Sequence, residues 1–122
     1  MKKEDKELLL KDLCSRLPYG VKVESVFINP DTKEHKSCGI EVFDATSILM
    51  IRDGLGEFKP YLFPLSSMSD EQEKEYNNLN CCELGCFPHT EEALDYLIAN
   101  HFDYRYLIPM GLAIDATGLN IY

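Results

Sequence analysis

Three residues near the end of the chain, His101, Asp103 and Arg105, are of the types that carry acid–base chemistry. A histidine oriented by a carboxylate can act as a general base, which is how a small hydrolase or nuclease would use His101 and Asp103. No recognised spacing places a serine or cysteine nucleophile beside this pair. We therefore favour a packed histidine that bonds a backbone carbonyl at a helix end, with Arg105 paired to Asp103, and we predict no catalytic residue.

A cysteine-rich segment offers the side chains that zinc prefers. Cys82, Cys86 and His89 are separated by short gaps that would let one loop wrap a cation. Structural zinc sites usually combine two separated pairs of ligands, and the sequence has no second pair. These three residues are therefore weak candidate ligands, and we predict neither a metal nor another cofactor.

The remaining cysteines indicate the redox setting. The chain has five cysteines, an odd number, and no signal peptide is apparent, which favours reduced thiols in a cytoplasm over a disulfide framework. Cys14 falls on the apolar face of a predicted helix, and Cys38 falls at the start of a predicted strand. Both are expected to behave as small core residues.

The segment 59–69 is the most distinctive stretch of the sequence. Pro60 and Pro64 hold it extended, and it carries more apolar side chains than a surface linker needs. It is either a rigid crossover that packs sheet against helix or an exposed Pro-aromatic recognition surface. The second interpretation gives a candidate binding surface that takes residues from this segment and from the end of the chain: Lys59, Tyr61, Phe63, Ser66, Ser67, His101, Asp103, Tyr104 and Arg105.

Length and composition exclude several classes of protein. With 122 residues, 45% apolar and 27% charged, the chain is too hydrophobic for disorder, and we predict a single domain over 1–122. Its longest apolar run, 48–51, is far shorter than the ~20 residues that a membrane span requires. The N-terminus lacks a secretory apolar region. We expect a cytoplasmic protein that does not associate with membranes.

The charge is unevenly distributed along the chain. Residues 1–61 carry 10 basic and 11 acidic side chains, a net charge of −1, whereas residues 62–122 carry 2 basic and 10 acidic, a net charge of −8. The acidic half disfavours direct binding to nucleic acid. It is typical of a solvated surface, and it also leaves open an acidic mimic of nucleic acid that inhibits a DNA-binding enzyme.

Helix periodicity is clear at the N-terminus. Apolar residues recur at i, i+3, i+4 and i+7, which predicts an amphipathic helix over 4–17 with Asp12 outside the buried stripe. The members of the predicted stripe are Leu10, Leu13, Cys14 and Leu17.

Strand patterns follow. Alternation predicts strands over 21–28 and 38–44, and a run that is apolar on both parities predicts a central strand over 47–52. Asp53-Gly54 indicates a hairpin turn into a fourth strand over 57–63. Pro60 removes a ladder donor, which places this last strand at an edge or near its end.

The second half is predicted to be helical. Ser69 and Gln72 form a capping-box pattern for a peripheral helix over 70–79, and Thr90 caps a helix over 90–102. Asp103 would cap one further turn. The predicted fold is α+β: an N-terminal helix, a four-stranded antiparallel meander or small SH3-like barrel, then two helices and a short C-terminal strand or tail.

Three segments together resemble a family of small proteins carried by gut-bacterial phages and prophages. They are KDLCSRLPYGV, KPYLFPLSSMS and NHFDYRYLIPMGLA. The resemblance implies a mobile-element origin and a cytoplasmic host setting, and it implies no activity, ligand or catalytic residue. We therefore expect a non-enzymatic protein-binding module with a host or phage protein as its partner.

Overall fold

The first helix, α1, is Lys3–Arg16 in a computed structural model that describes residues 3–82, 85–86 and 90–122. Leu9, Asp12, Leu13 and Arg16 are its buried residues, at the spacing i, i+3, i+4 and i+7. The predicted stripe had this spacing but was displaced by one residue. Asp12 is buried because Arg16, one turn later, neutralises it.

The long strands form one sheet. β1, Lys22–Ile28, pairs antiparallel with β2, His35–Val42, and with β3, Gly56–Pro64. β1 and β3 lie within about one residue of the sequence prediction, whereas β2 begins three residues earlier than predicted. A bulge in the β1–β2 pairing leaves Cys38 opposite no residue of β1, and Cys38 is exposed, which corrects its predicted core position.

The run 47–52 is helical, which corrects the predicted central strand. Helix α2 is Ala45–Arg52, and it begins with a reciprocal capping box between Asp44 and Ser47. Short apolar runs do not distinguish a strand from a helix, and here the cap decides. Asp53 and Gly54 end this helix, with Gly54 at φ 70°, and they do not form a hairpin turn because a helix and not a strand precedes them.

The second half adds helices and short strands. Helix α3 keeps the predicted capping box, in which Ser69 N–H donates to Gln72 Oε1 and Gln72 N–H donates to Ser69 Oγ. Thr90 caps α4 as predicted, but α4 ends three residues before 102. The elements are α3 Asp70–Asn80, β4 Cys81–Cys82, β5 Gly85–Cys86, α4 Glu91–Ala99, β6 Phe102–Asp103 and β7 Ile114–Asp115.

The main sheet is mixed, which corrects the predicted antiparallel meander. β6 and β7 both pair parallel with β3, and the strand order is β2-β1-β3-β6. β3 is therefore a central strand despite Pro60, contrary to the expected edge. Pro60 lies where the pairing with β1 ends and the pairing with β7 begins one residue later, so a missing donor is tolerated there.

Helix α1, the sheet and the segment after β6 enclose the core. Its fully buried members include Leu13, Val21, Val23, Leu62 and Leu107. Cys14 faces outward from α1 and is exposed, which corrects its predicted place in the core. No helix in the described part of the chain has the length and apolar character needed to cross a bilayer.

Candidate functional site

Asp103 holds the turn that follows β6. Its carboxylate is buried, and its two oxygens accept hydrogen bonds from the backbone N–H groups of Leu107 and Ile108, each at 2.9 Å. The predicted capping role is confirmed. Asp103 is hydrogen-bonded to the backbone here, and within the described residues no hydrogen bond joins it to His101.

A buried ion cluster, formed by Asp12, Arg16 and Arg105, lies behind this turn. Arg16 donates to both oxygens of Asp12, from Nε at 2.8 Å and from Nη2 at 3.2 Å. Arg105 Nε donates to Asp12 Oδ1 at 3.2 Å, which corrects the predicted pairing of Arg105 with Asp103. Arg16 Nη2 also donates to the Phe102 carbonyl at 2.7 Å, so the cluster ties α1 to β6.

The ring of Tyr104 accompanies the cluster. The Arg105 guanidinium carbon lies 4.8 Å from its centroid and that of Arg16 lies 5.6 Å from it, which are cation–π distances. One carboxylate thus faces two guanidinium groups in the interior. The aromatic face and the Phe102 carbonyl help to compensate for the excess positive charge.

His101 directly precedes β6. Its backbone forms hydrogen bonds at the start of the strand, and its ring lines a surface. Its backbone is left-handed, with φ 63°, its N–H donates to Ile98 O at 3.1 Å, and its carbonyl accepts from Phe63 N–H at 2.8 Å. Within the described residues, its buried Nδ1 has no hydrogen-bond partner, so the predicted carbonyl bond of the ring is not seen.

Electrostatics keep His101 neutral. Burial, together with the positive charges of Arg16 and Lys22, lowers the pKa of His101 from 6.5 to about 4. Its ring stacks on that of Tyr122, with centroids 3.7 Å apart and planes inclined by 14°. A neutral imidazole is compatible with close stacking because it carries no charge that would need a counter-ion.

Tyr122 fastens the chain end to the sheet. Its hydroxyl accepts from Lys22 N–H at 2.8 Å and donates to the Tyr61 carbonyl at 2.7 Å. Lys22 belongs to β1 and Tyr61 to β3, and each lies one residue beyond the last β1–β3 pair, which is Val23 with Pro60. The hydroxyl therefore bridges the strands where the ladder ends, and its burial raises the pKa of Tyr122 to about 12.

These rings form one wall of an open groove, which we call the Tyr122 groove. Its volume is about 450 Å³. None of the described Asp, Glu, Lys or Arg residues lines it, so the lining is aromatic, amide and hydroxyl in character. The lining residues are Phe63, Ser67, Gln72, Ala99, Asn100, His101, Phe102, Thr117, Gly118 and Tyr122.

The structure divides the predicted binding surface. Phe63, Ser67 and His101 meet in the Tyr122 groove. Tyr61 is buried beneath it, and Ser66 is exposed on the neighbouring 3₁₀ turn. The other predicted members lie elsewhere: Lys59 lines a separate groove of about 240 Å³ against α1, Asp103 caps the turn, and Tyr104 and Arg105 belong with the ion cluster.

Sequence reasoning missed several residues of the groove and the cluster. Tyr122, Asn100 and Thr117 carry no pattern that would mark them, because they meet Phe63 only through the tertiary fold. Asp12 and Arg16 did carry a signal. Their spacing of four residues allows an intrahelical ion pair, and both lie at stripe positions once Leu9 is included.

The candidate zinc ligands lie outside the part of the chain whose side chains the structure describes. His89 is not among the described residues, and only the backbones of Cys82 in β4 and Cys86 in β5 are described. In the rest of the chain, no group of three or more His, Cys, Asp and Glu side chains is placed to hold a metal ion.

Comparisons with protein-family models, with curated proteins and with solved structures gave no match for this chain.

Proposed function

We propose that the protein is a non-enzymatic binding module that engages another protein through the Tyr122 groove. The resemblance of three sequence segments to phage and prophage proteins favours a host or phage protein as the partner. One observation carries the proposal: the groups that would perform acid–base chemistry are already committed within the fold, while the groove beside them is open and uncharged.

The commitment of the ionisable groups supports binding over hydrolysis. The Asp103 carboxylate accepts from the N–H groups of Leu107 and Ile108, and among the described residues no carboxylate is hydrogen-bonded to His101. With its pKa lowered to about 4, His101 is a weak base near neutral pH. Its ring packs face to face on Tyr122, where it serves as a wall of the groove.

The free polar atoms of the groove match a peptide backbone. Asn100 uses Nδ2 to donate to Tyr96 O, which leaves Oδ1 as an acceptor for a partner's N–H. Gln72 uses Oε1 to accept from Ser69 N–H, which leaves Nε2 as a donor for a partner's carbonyl. An uncharged peptide segment with an apolar side chain would satisfy both amides and cover the aromatic wall.

The acidic face of α3 and α4 supports a second candidate, the mimic of nucleic acid. The two helices pack together, and their seven acidic side chains are exposed. A basic protein surface would complement them, with an affinity that falls steeply as salt rises. The residues are Asp70, Glu71, Glu73, Glu75, Glu91, Glu92 and Asp95.

A matched pair of substitutions tests the groove. Thr117→Arg places a long cation on its rim, where the side chain is exposed. Thr46→Arg makes the same change on the exposed start of α2, remote from the groove. Affinity capture with the full chain should enrich one partner with wild type and with Thr46→Arg. Thr117→Arg should lose it, and the purified pair should repeat this pattern by calorimetry.

Other outcomes would contradict the groove. If Thr117→Arg retains the partner at wild-type affinity, the groove is not the binding site. Suppose instead that the affinity for the partner falls steeply as salt rises, and that Glu73→Gln and Glu92→Gln also lower it. The acidic residues of α3 and α4 then carry binding, and the mimic of nucleic acid replaces the first candidate. If no protein is enriched by the wild type from infected or uninfected cells, the proposal of a binding module fails.

A further inference from the structure

Strand β2 presents an open edge of the sheet. It lies at one end of the strand order, and among the described strands it pairs with β1 alone. All eight of its residues are exposed, including Ile40 at 51% and Val42 at 53%. An exposed edge with unpaired N–H and C=O groups is a template for a further strand.

The hydrogen bonds to β1 determine which backbone groups point outward. Phe43 N–H donates to Val21 O, and Asn29 N–H donates to Glu34 O, which fixes a bonded pair at each end of the β1–β2 ladder. Bonded and non-bonded pairs alternate in an antiparallel ladder, and the bulge at Cys38 shifts the alternation once. The outward-pointing residues of β2 are therefore His35, Ser37, Ile40 and Val42.

These outward residues are symmetric about the middle of the strand. If a second β2 runs antiparallel with its two-fold axis between Cys38 and Gly39, outward groups meet only outward groups. Ser37 then faces Ile40 of the second copy, and His35 faces Val42. The four positions also share one side of the sheet, because they pair with alternating residues of β1, from Lys22 to Ile28.

The charges on the other side of β2 agree with the same register. Lys36 and Glu41 pair with Phe27 and Val23, which share the opposite side of β1. In the symmetric arrangement, Lys36 of each copy lies directly opposite Glu41 of the other, so that two ion pairs form. Opposite charges at facing positions favour a strand pair, and like charges disfavour it.

We propose that β2 is the interface of a homodimer, in which two copies of β2 pair antiparallel around an axis between Cys38 and Gly39. Backbone direction and side-chain facing, which both follow from the pairing with β1, select this register, and the charges agree with it. The proposal does not depend on the Tyr122 groove, which lies at the other end of the strand order. An interface of one strand is below the about 1,000 Å² of a stable complex, so the dimer is expected to be weak and concentration-dependent.

Charge exchange across the axis provides the test. Sedimentation equilibrium from micromolar to millimolar protein should show a reversible dimer. Lys36→Glu and Glu41→Lys should each weaken dimerisation about tenfold, because each places like charges opposite each other twice. The double variant should restore it. Lys11→Glu, on the exposed side of α1, makes the same change in net charge as Lys36→Glu and should dimerise like wild type.

Hydrogen exchange in the wild-type chain gives a second readout that needs no substitution. The outward amides of Ser37, Ile40 and Val42 should be protected only at high concentration, whereas those of Lys36 and Glu41, bonded to β1, should be protected at all concentrations. A chain that stays monomeric at millimolar concentration overturns the proposal. So does a dimer that the single and double charge variants weaken equally.

Discussion

Two polar regions flank the strand β6, and they treat their side chains in opposite ways. In the ion cluster, Arg16 and Arg105 both donate to Asp12, and Arg16 also donates to the Phe102 carbonyl. In the Tyr122 groove, Asn100 and Gln72 each keep one end of the amide free. The charged groups are paired and mostly buried, although Arg16 Nη1 has no hydrogen-bond partner among the described residues, whereas the polar groups of the groove are uncharged and available.

This difference separates polar groups that stabilise the fold from polar groups that are available to bind a ligand. Burying a charge is costly unless it is paired and hydrogen-bonded, so the cluster is constrained to one arrangement. An open groove imposes no such constraint, since water satisfies its amides until a ligand replaces it. The unusual residues of the cluster are therefore assigned to stability, and the ordinary residues of the groove are assigned to binding.

Removing the carboxylate of the cluster is the sharpest way to test that assignment. Asp12→Ala leaves Arg16 fully buried without its counter-ion and Arg105 without its partner. Breaking a buried pair in this way costs about 3–5 kcal/mol of stability. Urea unfolding followed by circular dichroism measures the loss.

Glu7→Ala provides the control, because it removes an exposed carboxylate from the same helix. It should change the free energy of unfolding by less than about 0.5 kcal/mol. If Asp12→Ala is as mild as Glu7→Ala, the cluster does not stabilise the fold, and its residues become available for a functional role.

The cap of the turn after β6 should give a smaller effect. Asp103→Ala leaves the N–H groups of Leu107 and Ile108 without acceptors, at a cost of about 1–3 kcal/mol for each one that stays buried. Asp103→Asn keeps one acceptor oxygen and should lose less. Urea unfolding of both variants checks this order, and a larger loss for Asp103→Asn would contradict the capping role.

Short-range sequence patterns predicted the helix caps correctly, but they failed where contacts between distant parts of the chain determine the structure. The caps at Ser69 and Thr90 follow from neighbouring residues, so both were predictable. The one-residue displacement of the buried stripe of α1 was not predictable, because apolar periodicity assigns Asp12 to the surface unless the burial of Arg16 is known. The run 47–52 fits a strand and a helix equally well.

The groove was beyond sequence reasoning for the same reason. Phe63 and His101 were predicted as members of one surface, and they do lie together. Their neighbour Tyr122 is 59 positions from Phe63 in the chain, and the hydrogen bonds of its hydroxyl to Lys22 and Tyr61 help to hold it there. No periodicity or motif encodes such a contact.

Of the predicted effects, the loss of stability on acidification that is due to His101 should be the smallest, and it should depend on this one ring. The pKa of His101 is about 4 in the folded chain and 6.5 without the fold, so between these values the unfolded chain binds more protons at this ring. The stability linked to neutral His101 is therefore complete above pH 6.5 and is lost as the pH falls through about 4. Titration of the His101 ring by NMR measures the folded value directly.

His101→Asn separates this effect from the protonation of carboxylates. Asparagine tolerates the left-handed backbone at φ 63° and does not titrate. Wild type should lose more unfolding free energy than His101→Asn when the pH is lowered from 7 to 4, and the two should respond alike to further acid. An equal loss in both proteins would mean that His101 is freely solvated. The stacked wall of the Tyr122 groove would then not be the dominant arrangement in solution, and the contrast with the ion cluster would disappear.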